Sequence, residues 1–208
     1  LPLREAARRR HVVGIVHAAG QPSHDLAKRM IARDMQVNLG GTLLMLELNR
    51  EYLGNVPFIF LSTNKVYGER PNRIEREELP TRFDFKDRTT MGISESMSID
   101  QTDHSFFGVS KAAADLLVQE YGRNFDMPTA CLRCGCITGA GHAGVELHGF
   151  LSYLVACAMK GKPYTVFGHG GKQLRDNIDA DDLATLILQI LKRPSAKGAV
   201  FNVGGGLE

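Results

Sequence analysis

A short segment of the sequence, residues 104–111, brings a histidine, two phenylalanines and a lysine to spacings that bear on acid–base chemistry. It reads His-Ser-Phe-Phe-Gly-Val-Ser-Lys, and the residues from Val109 onward are strong helix formers, so we predict a helix here. On a helix, Phe107 and Lys111 lie one turn apart on the same face. The Lys111 ammonium offers a positive charge and three hydrogen-bond donors, whereas the phenyl ring beside it cannot exchange a proton.

Two predicted strands precede this helix, and both end in residues suited to a ligand. The first, His11–Ala19, is a β-branched run of the kind buried in a parallel sheet, and its end, His17-Ala18-Ala19-Gly20, is small enough for a flat molecule to lie against the backbone. The second, Val56–Leu61, runs into Ser62-Thr63-Asn64-Lys65-Val66-Tyr67-Gly68. Four hydroxyl, amide or amine side chains directly after a buried strand are more than a turn requires, which favours a binding site. The alternative is a polar loop whose Ser and Thr satisfy backbone groups.

The rest of the chain alternates predicted helices with predicted strands. A helix covers about Ala32–Tyr52, and Gly40-Gly41 in its interior indicates that another group approaches the backbone closely there. Residues 69–103 show no sustained period, so we expect mostly loop, which at that length is usually functional. The other predicted elements are strands at Thr129–Cys134, Tyr164–Phe167 and Ala199–Val203, and helices at 106–122, Leu147–Lys160 and Ala180–Lys192. This order predicts an α/β fold with a doubly wound parallel sheet (Rossmann-like) and ligands bound beyond the carboxyl ends of the strands.

The composition is that of a soluble globular domain, with 43% hydrophobic and 23% charged residues among 208. The net charge of +2 gives no sign of nucleic-acid binding, and the basic run at residues 8–10 is better explained as a solvated helix end. No apolar run approaches the length that a membrane span needs. We therefore expect neither a nucleic-acid partner nor a membrane partner.

The four cysteines are Cys131, Cys134, Cys136 and Cys157, and their spacing does not indicate a disulfide framework. This favours a reducing, cytoplasmic location. The spacing Cys131-x-x-Cys134-x-Cys136 invites comparison with a metal site. On a strand, however, residues 134 and 136 share one face while residue 131 points to the other, so three thiolates cannot converge and we predict no metal.

Taken in this order and spacing, the motifs resemble those of the extended short-chain dehydrogenase/reductases, the NAD-dependent sugar-nucleotide epimerase/dehydratase family, over nearly the whole chain. The polar stretch after the second strand most resembles the CDP-tyvelose (CDP-paratose) 2-epimerase branch. The matching segments are residues 17–20 (the cofactor motif after a strand), Asn38 with Gly41-Thr42 (the Asn-x-x-Gly-Thr helix), 133–139 (the strand that ends beside nicotinamide and sugar) and 168–182 (the segment that grips the nucleotide diphosphate).

The resemblance implies a role for individual residues. It implies that Thr63 hydrogen-bonds the reacting sugar hydroxyl and that Lys111 holds the nicotinamide ribose. It further implies NAD as cofactor (NADP is not excluded), lined by Ala18, Ala19, Gly20, Asn38, Ser62, Lys111 and Cys134. A nucleotide sugar would be held by Asn64, Lys65, Cys136 and Arg175, the last through its phosphates. A homodimer built from the helices at about 32–52 and 106–122 is also implied.

Two positions narrow the chemistry that the resemblance implies. Asn64 and Lys65 occupy the places where dehydratases of the family carry two acids, which argues against 4,6-dehydration and leaves epimerisation or simple redox chemistry. The family also places a tyrosine one turn before the lysine, and here that position is Phe107. The loss of a general acid/base typically costs about 10²–10⁴-fold in rate.

Three interpretations of Phe107 stay open: another group takes the proton, the protein binds without turnover, or a tyrosine was replaced to trap a complex. His104 is the nearest substitute base, since an imidazole titrates in the right range. The alternative for His104 is a helix-entry histidine that faces water. Tyr67 and Lys65 are further candidates for the proton carrier. A dehydrogenase that needs an external reductant is a third functional possibility, beside an epimerase and a non-catalytic binding protein.

A glycine-rich pyrophosphate loop does not follow the first predicted strand. Residues 139–144 match Gly-x-Gly-x-x-Gly, but no acid follows at the end of the next strand, so we reject them as the dinucleotide site. We therefore expect a sheet that lacks its N-terminal strands. Residues 1–140 would form a truncated dinucleotide-binding domain, and residues 141–208 a partial substrate-binding region interleaved with the last sheet elements.

Overall fold

The computed structural model describes residue 5 and residues 11–146, 149–194 and 197–206. A four-stranded parallel sheet forms its centre, and two small two-stranded sheets lie outside it. The strands are β1 (Ile15–His17), β2 (Phe58–Thr63), β3 (Arg76–Glu78), β4 (Phe83–Phe85), β5 (Thr129–Cys134), β6 (Cys136–Thr138), β7 (Asn177–Asp179) and β8 (Lys197–Val203). The central order is β1-β2-β5-β8, β3 pairs with β4 antiparallel, and β6 pairs with β7 parallel.

Most of the helices follow the sequence expectation, but the short helix His24–Arg29 forms where a polar loop was expected. The helices are α1 (His24–Arg29), α2 (Ile31–Met35), α3 (Gly41–Leu48), α4 (Phe106–Asn124), α5 (Phe150–Met159) and α6 (Ala180–Lys192). The wider π-helical turn Gln36–Gly40 joins α2 to α3, and a second one, Asn49–Leu53, extends α3. Together they make one helical stretch over residues 31–53, close to the predicted Ala32–Tyr52. Side-chain caps explain where two helices begin: Ser105 accepts from the Gly108 N–H at the start of α4, and Asp179 accepts from the Asp181 N–H at the start of α6.

Helices cover both faces of the central sheet, which makes it doubly wound as predicted. One face packs against the 31–53 stretch and α4 through a buried cluster of Ile15, Leu46, Phe58, Phe60, Ala114, Val118, Met127 and Cys131. The other face packs against α6 through Ile59, Leu132, Cys134, Ile178, Leu183 and Val203. Cys131 and Cys134 therefore lie on opposite faces, as strand alternation requires.

The central strands run in parallel, and their register fixes which side chains meet at the carboxyl edge. Thr63, the last residue of β2, lies opposite Cys134, and Cys134 lies opposite Val203 of β8. His17 of β1 lies opposite Phe60, so β1 ends beside the middle of β2. Residues 18–20, 62–65 and 134 consequently emerge at one edge of the sheet.

Several boundaries differ from the sequence prediction. The predicted strand Tyr164–Phe167 is wrong: it joins no sheet of the described residues, and Val166 and Phe167 are exposed. The predicted strand His11–Ala19 is longer than the observed strand β1, which among the described residues pairs with β2 alone. Helix α5 starts at Phe150, and the predicted start at residues 147–148 lies outside the described residues. The 69–103 segment is mostly loop, as expected, with β3 and β4 as a short hairpin inside it.

The interior glycines of the helices have opposite surroundings. A Cβ on Gly122 in α4 would overlap the Thr129 hydroxyl and the Gly198 backbone, so this glycine permits close packing of α4 on the sheet. For Gly41, whose φ is −62°, no described atom outside the helix lies within 4 Å of such a Cβ. The close approach expected at Gly40-Gly41 is therefore absent among the described residues.

This contrast predicts opposite effects of the same substitution. We expect Gly122→Ala to lower the free energy of unfolding by about 1–3 kcal/mol, because the added methyl group overpacks the interface between α4 and the sheet. Gly41→Ala should instead be neutral or raise it by up to about 1 kcal/mol, since alanine loses less backbone freedom in a helix. Denaturant unfolding of the two variants measures both values. A similar loss of stability in both would contradict this account of the helix packing.

Candidate active site

Lys111 is a charged side chain buried at the carboxyl edge of the sheet. It projects from the second turn of α4, and only 8% of it is exposed. Its Nζ donates to the Leu61 carbonyl of β2 at 2.7 Å and lies 4.0 Å from the centre of the Phe60 ring. The carbonyl oxygen and the ring face both stabilise a cation, so the ammonium is held in one place against the strand.

Burial makes this ammonium unusually easy to deprotonate. Desolvation lowers the pKa of Lys111 to about 8, although the negative charge of Asp115 acts in the opposite direction. The charged form still predominates at neutral pH. A lysine in this state can supply positive potential and hydrogen-bond donors to a ligand at the strand ends.

His17, at the end of β1, is a neutral neighbour of Lys111. Burial, followed by the charge of Lys111, lowers the pKa of His17. Its Nε2 lies 3.1 Å from the Thr42 hydroxyl, which itself donates to the Asn38 carbonyl at 2.6 Å. Because that hydroxyl hydrogen is already used, His17 must donate from Nε2, which fixes its tautomer.

Asn38 ties the turn after β1 to the helices. Its side-chain carbonyl oxygen accepts from the Gln21 N–H at 2.8 Å, and its amide donates to the Ser110 hydroxyl of α4 at 2.9 Å. Gln21 also donates to the buried carboxylate of Asp34 at 2.6 Å. The predicted cofactor residues Ala18, Ala19 and Gly20 lie exposed just before this anchor, at the end of β1.

A buried polar network lies beneath the strand ends, and sequence reasoning missed it. The Asp115 carboxylate of α4 accepts two hydrogen bonds from Arg133 of β5, from Nη2 at 2.8 Å and from Nε at 3.1 Å. It also accepts from the Ser62 hydroxyl at 2.6 Å. Arg133 also donates to the Tyr67 hydroxyl at 3.0 Å, and Tyr67 donates to Asn202 of β8 at 2.7 Å. The available signal was an aspartate and an arginine on elements that otherwise read as buried, since buried charges are normally paired.

This network has consequences for two predicted residues. The Ser62 hydroxyl donates its hydrogen to Asp115. A cofactor beside Ser62 would therefore contact its backbone, because the hydroxyl hydrogen is already used. Burial acts to lower the pKa of Arg133, but the hydrogen bond and charge of Asp115 outweigh it and raise that pKa. Tyr67, considered above as a proton carrier, is held in the core, where its hydroxyl connects Arg133 to Asn202.

Thr63, Asn64 and Lys65 form the start of the turn after β2. Thr63 is half-buried, and its Oγ1 accepts from the Lys65 N–H at 3.3 Å. Since the hydroxyl oxygen is the acceptor here, its hydrogen stays available for another partner. Asn64 and Lys65 are exposed at the same edge. The structure therefore brings Thr63, Asn64, Lys65 and Lys111 to one end of β2.

Phe107 and Lys111 share one face of α4, as predicted, and the structure buries that face: each residue is 8% exposed. The Phe107 ring packs against the ring of His24, with centroids 4.8 Å apart and planes tilted by 58°. His104 is placed differently: its Nε2 lies 2.8 Å from the Ile99 carbonyl and its Nδ1 lies 3.4 Å from the Lys65 carbonyl. The His104 imidazole therefore contacts backbone carbonyls of the loop, and the interpretation of His104 as a histidine that faces water is wrong.

The remaining predicted residues follow β5. Cys134 is buried at the end of that strand, and desolvation raises the pKa of its thiol to about 11, so it is a neutral lining group. Cys136 lies on β6, which pairs with β7. Arg175 is exposed shortly before β7, where it donates to Gln173 at 2.9 Å and lies 5.8 Å from the Phe150 ring. Cys136 and Arg175 thus belong to the region of the small β6–β7 sheet rather than to the edge around Lys111.

The described residues suit the ribose end of a dinucleotide. A lysine ammonium has three N–H donors, and the Leu61 carbonyl takes one of them. Small exposed residues at the end of β1 leave the backbone open for a flat ring. Within the described ranges no group of three or more His, Cys, Asp or Glu side chains is arranged to hold a metal. In the same part of the chain, no helix is long and apolar enough to cross a membrane.

The burial of Lys111 predicts a pH-dependent stability. Folding lowers its pKa from 10.5 to about 8, so the unfolded chain binds more protons between those values and stability rises with pH there. Lys111→Met should therefore be more stable than the natural protein below pH 8, by about 1–3 kcal/mol after the loss of one hydrogen bond. Denaturant unfolding from pH 6 to 10.5 should show this advantage shrinking above pH 8.

The exposed Lys28→Met on α1 is the matched control and should show no such advantage. A Lys111→Met variant that is less stable at pH 7, or whose difference from the natural protein does not change with pH, would contradict the buried-charge account.

Comparison with known proteins agrees with this geometry. The sequence profile described as "NAD dependent epimerase/dehydratase family" matches residues 2–204. The chain is 34% identical over 195 residues to a CDP-paratose 2-epimerase of Salmonella typhi, covering 91% of this chain and 56% of that protein. It is 29% identical over 199 residues to a dTDP-glucose 4,6-dehydratase of Salmonella typhimurium, covering 92% of this chain and 51% of that protein.

Among solved structures, the UDP-glucose 4-epimerase of Thermus thermophilus in complex with NAD is 26% identical with a TM-score of 0.74, covering 99% of this chain and 60% of that one. The chain spans about half the length of the curated relatives it matches. The family profile covers almost every residue, and the parallel sheet with its buried lysine agrees with it. The chain therefore belongs to the NAD-dependent epimerase/dehydratase family.

Proposed function

We propose that the protein containing this chain is an NAD-dependent sugar-nucleotide epimerase, which inverts a carbon of the sugar by transient oxidation and re-reduction. The observation that carries the proposal is the Lys111 ammonium, fixed at 2.7 Å on the Leu61 carbonyl directly before the polar end of β2. Because the 34% identical relative is a CDP-paratose 2-epimerase, CDP-paratose is the first substrate to test.

The residues of this chain divide the work by position. Lys111 holds the nicotinamide ribose and supplies positive potential, and the backbone of residues 18–20 lines the cofactor. The half-buried Thr63 keeps a hydroxyl hydrogen for the reacting sugar oxygen. Bound NAD supplies a reversible hydride acceptor. Asn64 and Lys65 lie beside Thr63, and neither is an acid, which favours epimerisation over 4,6-dehydration.

The nucleotide diphosphate is assigned to the β6–β7 side, where Arg175 lies exposed. A guanidinium is well suited to phosphate because its planar fork makes paired hydrogen bonds. Residues 1–140 then form the cofactor region and residues 141–208 the substrate region, with β8 returning to the central sheet. The buried neutral thiols of Cys131 and Cys134 fit a reducing cytoplasm.

A second candidate function is a nucleotide-sugar or dinucleotide-binding protein without turnover. Phe107 favours it, since a phenyl ring in the position of the family's tyrosine cannot exchange a proton. Cofactor retention does not separate the two functions because a binding protein retains it too. The experiment must therefore test whether a group at position 107 that can exchange the substrate's proton changes the rate of turnover.

The test is Phe107→Tyr, assayed for interconversion of CDP-paratose and its C2 epimer. If the natural protein lacks an efficient proton carrier, the added phenol should raise turnover by about 10²–10⁴-fold. Phe106→Tyr, which adds the same phenol to the exposed neighbour, is the control and should leave turnover unchanged. Cofactor released on denaturation should be equal in all three proteins. No turnover of CDP-paratose by Phe107→Tyr would count against the proposed epimerase.

We also propose a homodimer built on the 31–53 stretch and α4. The two helices are joined by the Tyr121 hydroxyl, which donates to Glu47 at 2.6 Å. Their outer side exposes Leu43, Leu44, Val109 and Leu116, each between 40 and 46%. Both helical regions thus expose apolar side chains, which a second copy of the chain would cover in a dimer.

Leu116→Asp should convert the dimer to a monomer because a buried, unpaired carboxylate is costly in an apolar interface. Sedimentation equilibrium of the protein as its gene encodes it measures the change. Leu188→Asp, at an exposed leucine of α6, is the matched control and should leave the dimer intact. A Leu116→Asp protein with unchanged mass would place the interface elsewhere.

A further inference from the structure

The imidazole of His24 packs on the ring of Phe107, the residue in the position of the family's tyrosine. His24 lies 80 residues before His104 along the chain. Its ring centre is 4.8 Å from that of Phe107, and the side chain is exposed. Phe107 is one turn from Lys111 on the same buried face of α4, so His24 lies at the same end of the helix as the buried ammonium. His24 is thus the histidine that the structure places directly against this position.

The turn that carries His24 is firmly anchored. Gln21 binds Asn38 through its backbone N–H at 2.8 Å and Asp34 through its side-chain amide at 2.6 Å. The Gln21 side chain also accepts from the Ser23 N–H, and the Ser23 hydroxyl caps α1 by accepting from the Leu26 N–H. These bonds fix the backbone on both sides of Pro22, so His24 starts from a defined position at the first turn of α1.

The other candidates are less suited to accept the proton. Both ring nitrogens of His104 face backbone carbonyls: Nε2 lies 2.8 Å from the Ile99 oxygen and Nδ1 lies 3.4 Å from the Lys65 oxygen, so its imidazole is turned toward the loop backbone. The Tyr67 hydroxyl is buried between Arg133 and Asn202. Lys65 is exposed in the turn after β2, and an ammonium offers donors but no acceptor.

We propose that His24 is the acid–base residue that exchanges the proton of the reacting sugar hydroxyl in place of the missing phenol. The inference rests on the proposed epimerase function. In the oxidising half, the sugar O–H bond would break and its proton would form an N–H bond on the His24 imidazole, while bound oxidised dinucleotide would supply the hydride acceptor that balances formation of the C=O bond. In the reducing half, the imidazolium would return the proton to the oxygen as the reduced dinucleotide supplies the hydride.

Turnover of CDP-paratose by the protein as its gene encodes it provides the first test. His24→Ala and His24→Gln should each lower kcat by about 10²-fold or more, while KM changes by less than about threefold. His11→Ala, at an exposed histidine of the same strand-and-turn unit, is the matched control and should not change kcat. Combining Phe107→Tyr with His24→Ala should restore the rate, because the phenol replaces the lost proton carrier.

Nuclear magnetic resonance of the protein without substrate provides a readout apart from turnover. The ring proton signal of His24, identified by its loss in His24→Ala, should shift in Phe107→Leu because the neighbouring aromatic ring is gone. CDP-paratose should shift this signal further, whereas CDP alone should not, since only the former carries the sugar. A signal that responds equally to both ligands would overturn the assignment of His24 to the sugar.

The two proposals fail in different ways. If Phe107→Tyr turns over CDP-paratose and His24→Ala leaves the natural rate unchanged, the proposed function stands and the role of His24 is refuted. If neither the natural protein nor Phe107→Tyr turns over CDP-paratose, both are refuted for this substrate.

Discussion

The buried ion pair between Asp115 and Arg133 is the interaction on which the geometry of the site depends. It joins α4 to β5, and through the Ser62 hydroxyl and Tyr67 it also reaches β2 and the turn that follows it. Tyr67 in turn bonds Asn202, so all three long central strands contribute to one network. A slip of one residue in any of these pairings would leave a charge buried without its partner, which is costly, so the network specifies a single register.

That strand register places the polar residues at the end of β2 beside Lys111. Because β2 and β5 are aligned from Phe58 opposite Thr129 to Thr63 opposite Cys134, their polar ends form one edge. The same alignment exposes the Leu61 carbonyl to Lys111, and this bond fixes the ammonium. The desolvation that lowers the pKa of Lys111 is a consequence of this position between helix and sheet. The fixed strand register and the lowered pKa of Lys111 therefore have a common origin.

The turn after β1 is held against the helix that carries Lys111 by a second set of hydrogen bonds. Asn38 bridges this turn to Ser110 on α4, and Gln21 and Asp34 extend the same set of bonds. The turn is thereby held against the helix that carries Phe107 and Lys111. The imidazole of His24, which follows this turn, packs on the Phe107 ring as a result.

The sequence by itself determined the fold class, the approximate bounds of the longer helices and of two central strands, and the placement of Phe107 and Lys111 on one helix face. Hydrophobic periodicity and helix spacing are local properties, and they were enough to predict Thr129–Cys134 and the helical stretch over residues 31–53. The same reasoning failed for Tyr164–Phe167, because an apolar run becomes a strand only if a partner strand lies beside it.

Only the tertiary structure decided which side chains surround the site. Asp115 and Arg133 are 18 residues apart, and Tyr67 and Asn202 are 135 apart, so no local pattern could reveal that they bond. The same is true of the histidines. His104 is close to Phe107 along the chain yet bonds loop carbonyls, whereas the distant His24 packs on the Phe107 ring. Contacts across the fold depend on how the helices dock on the sheet, which spacing along the chain does not encode.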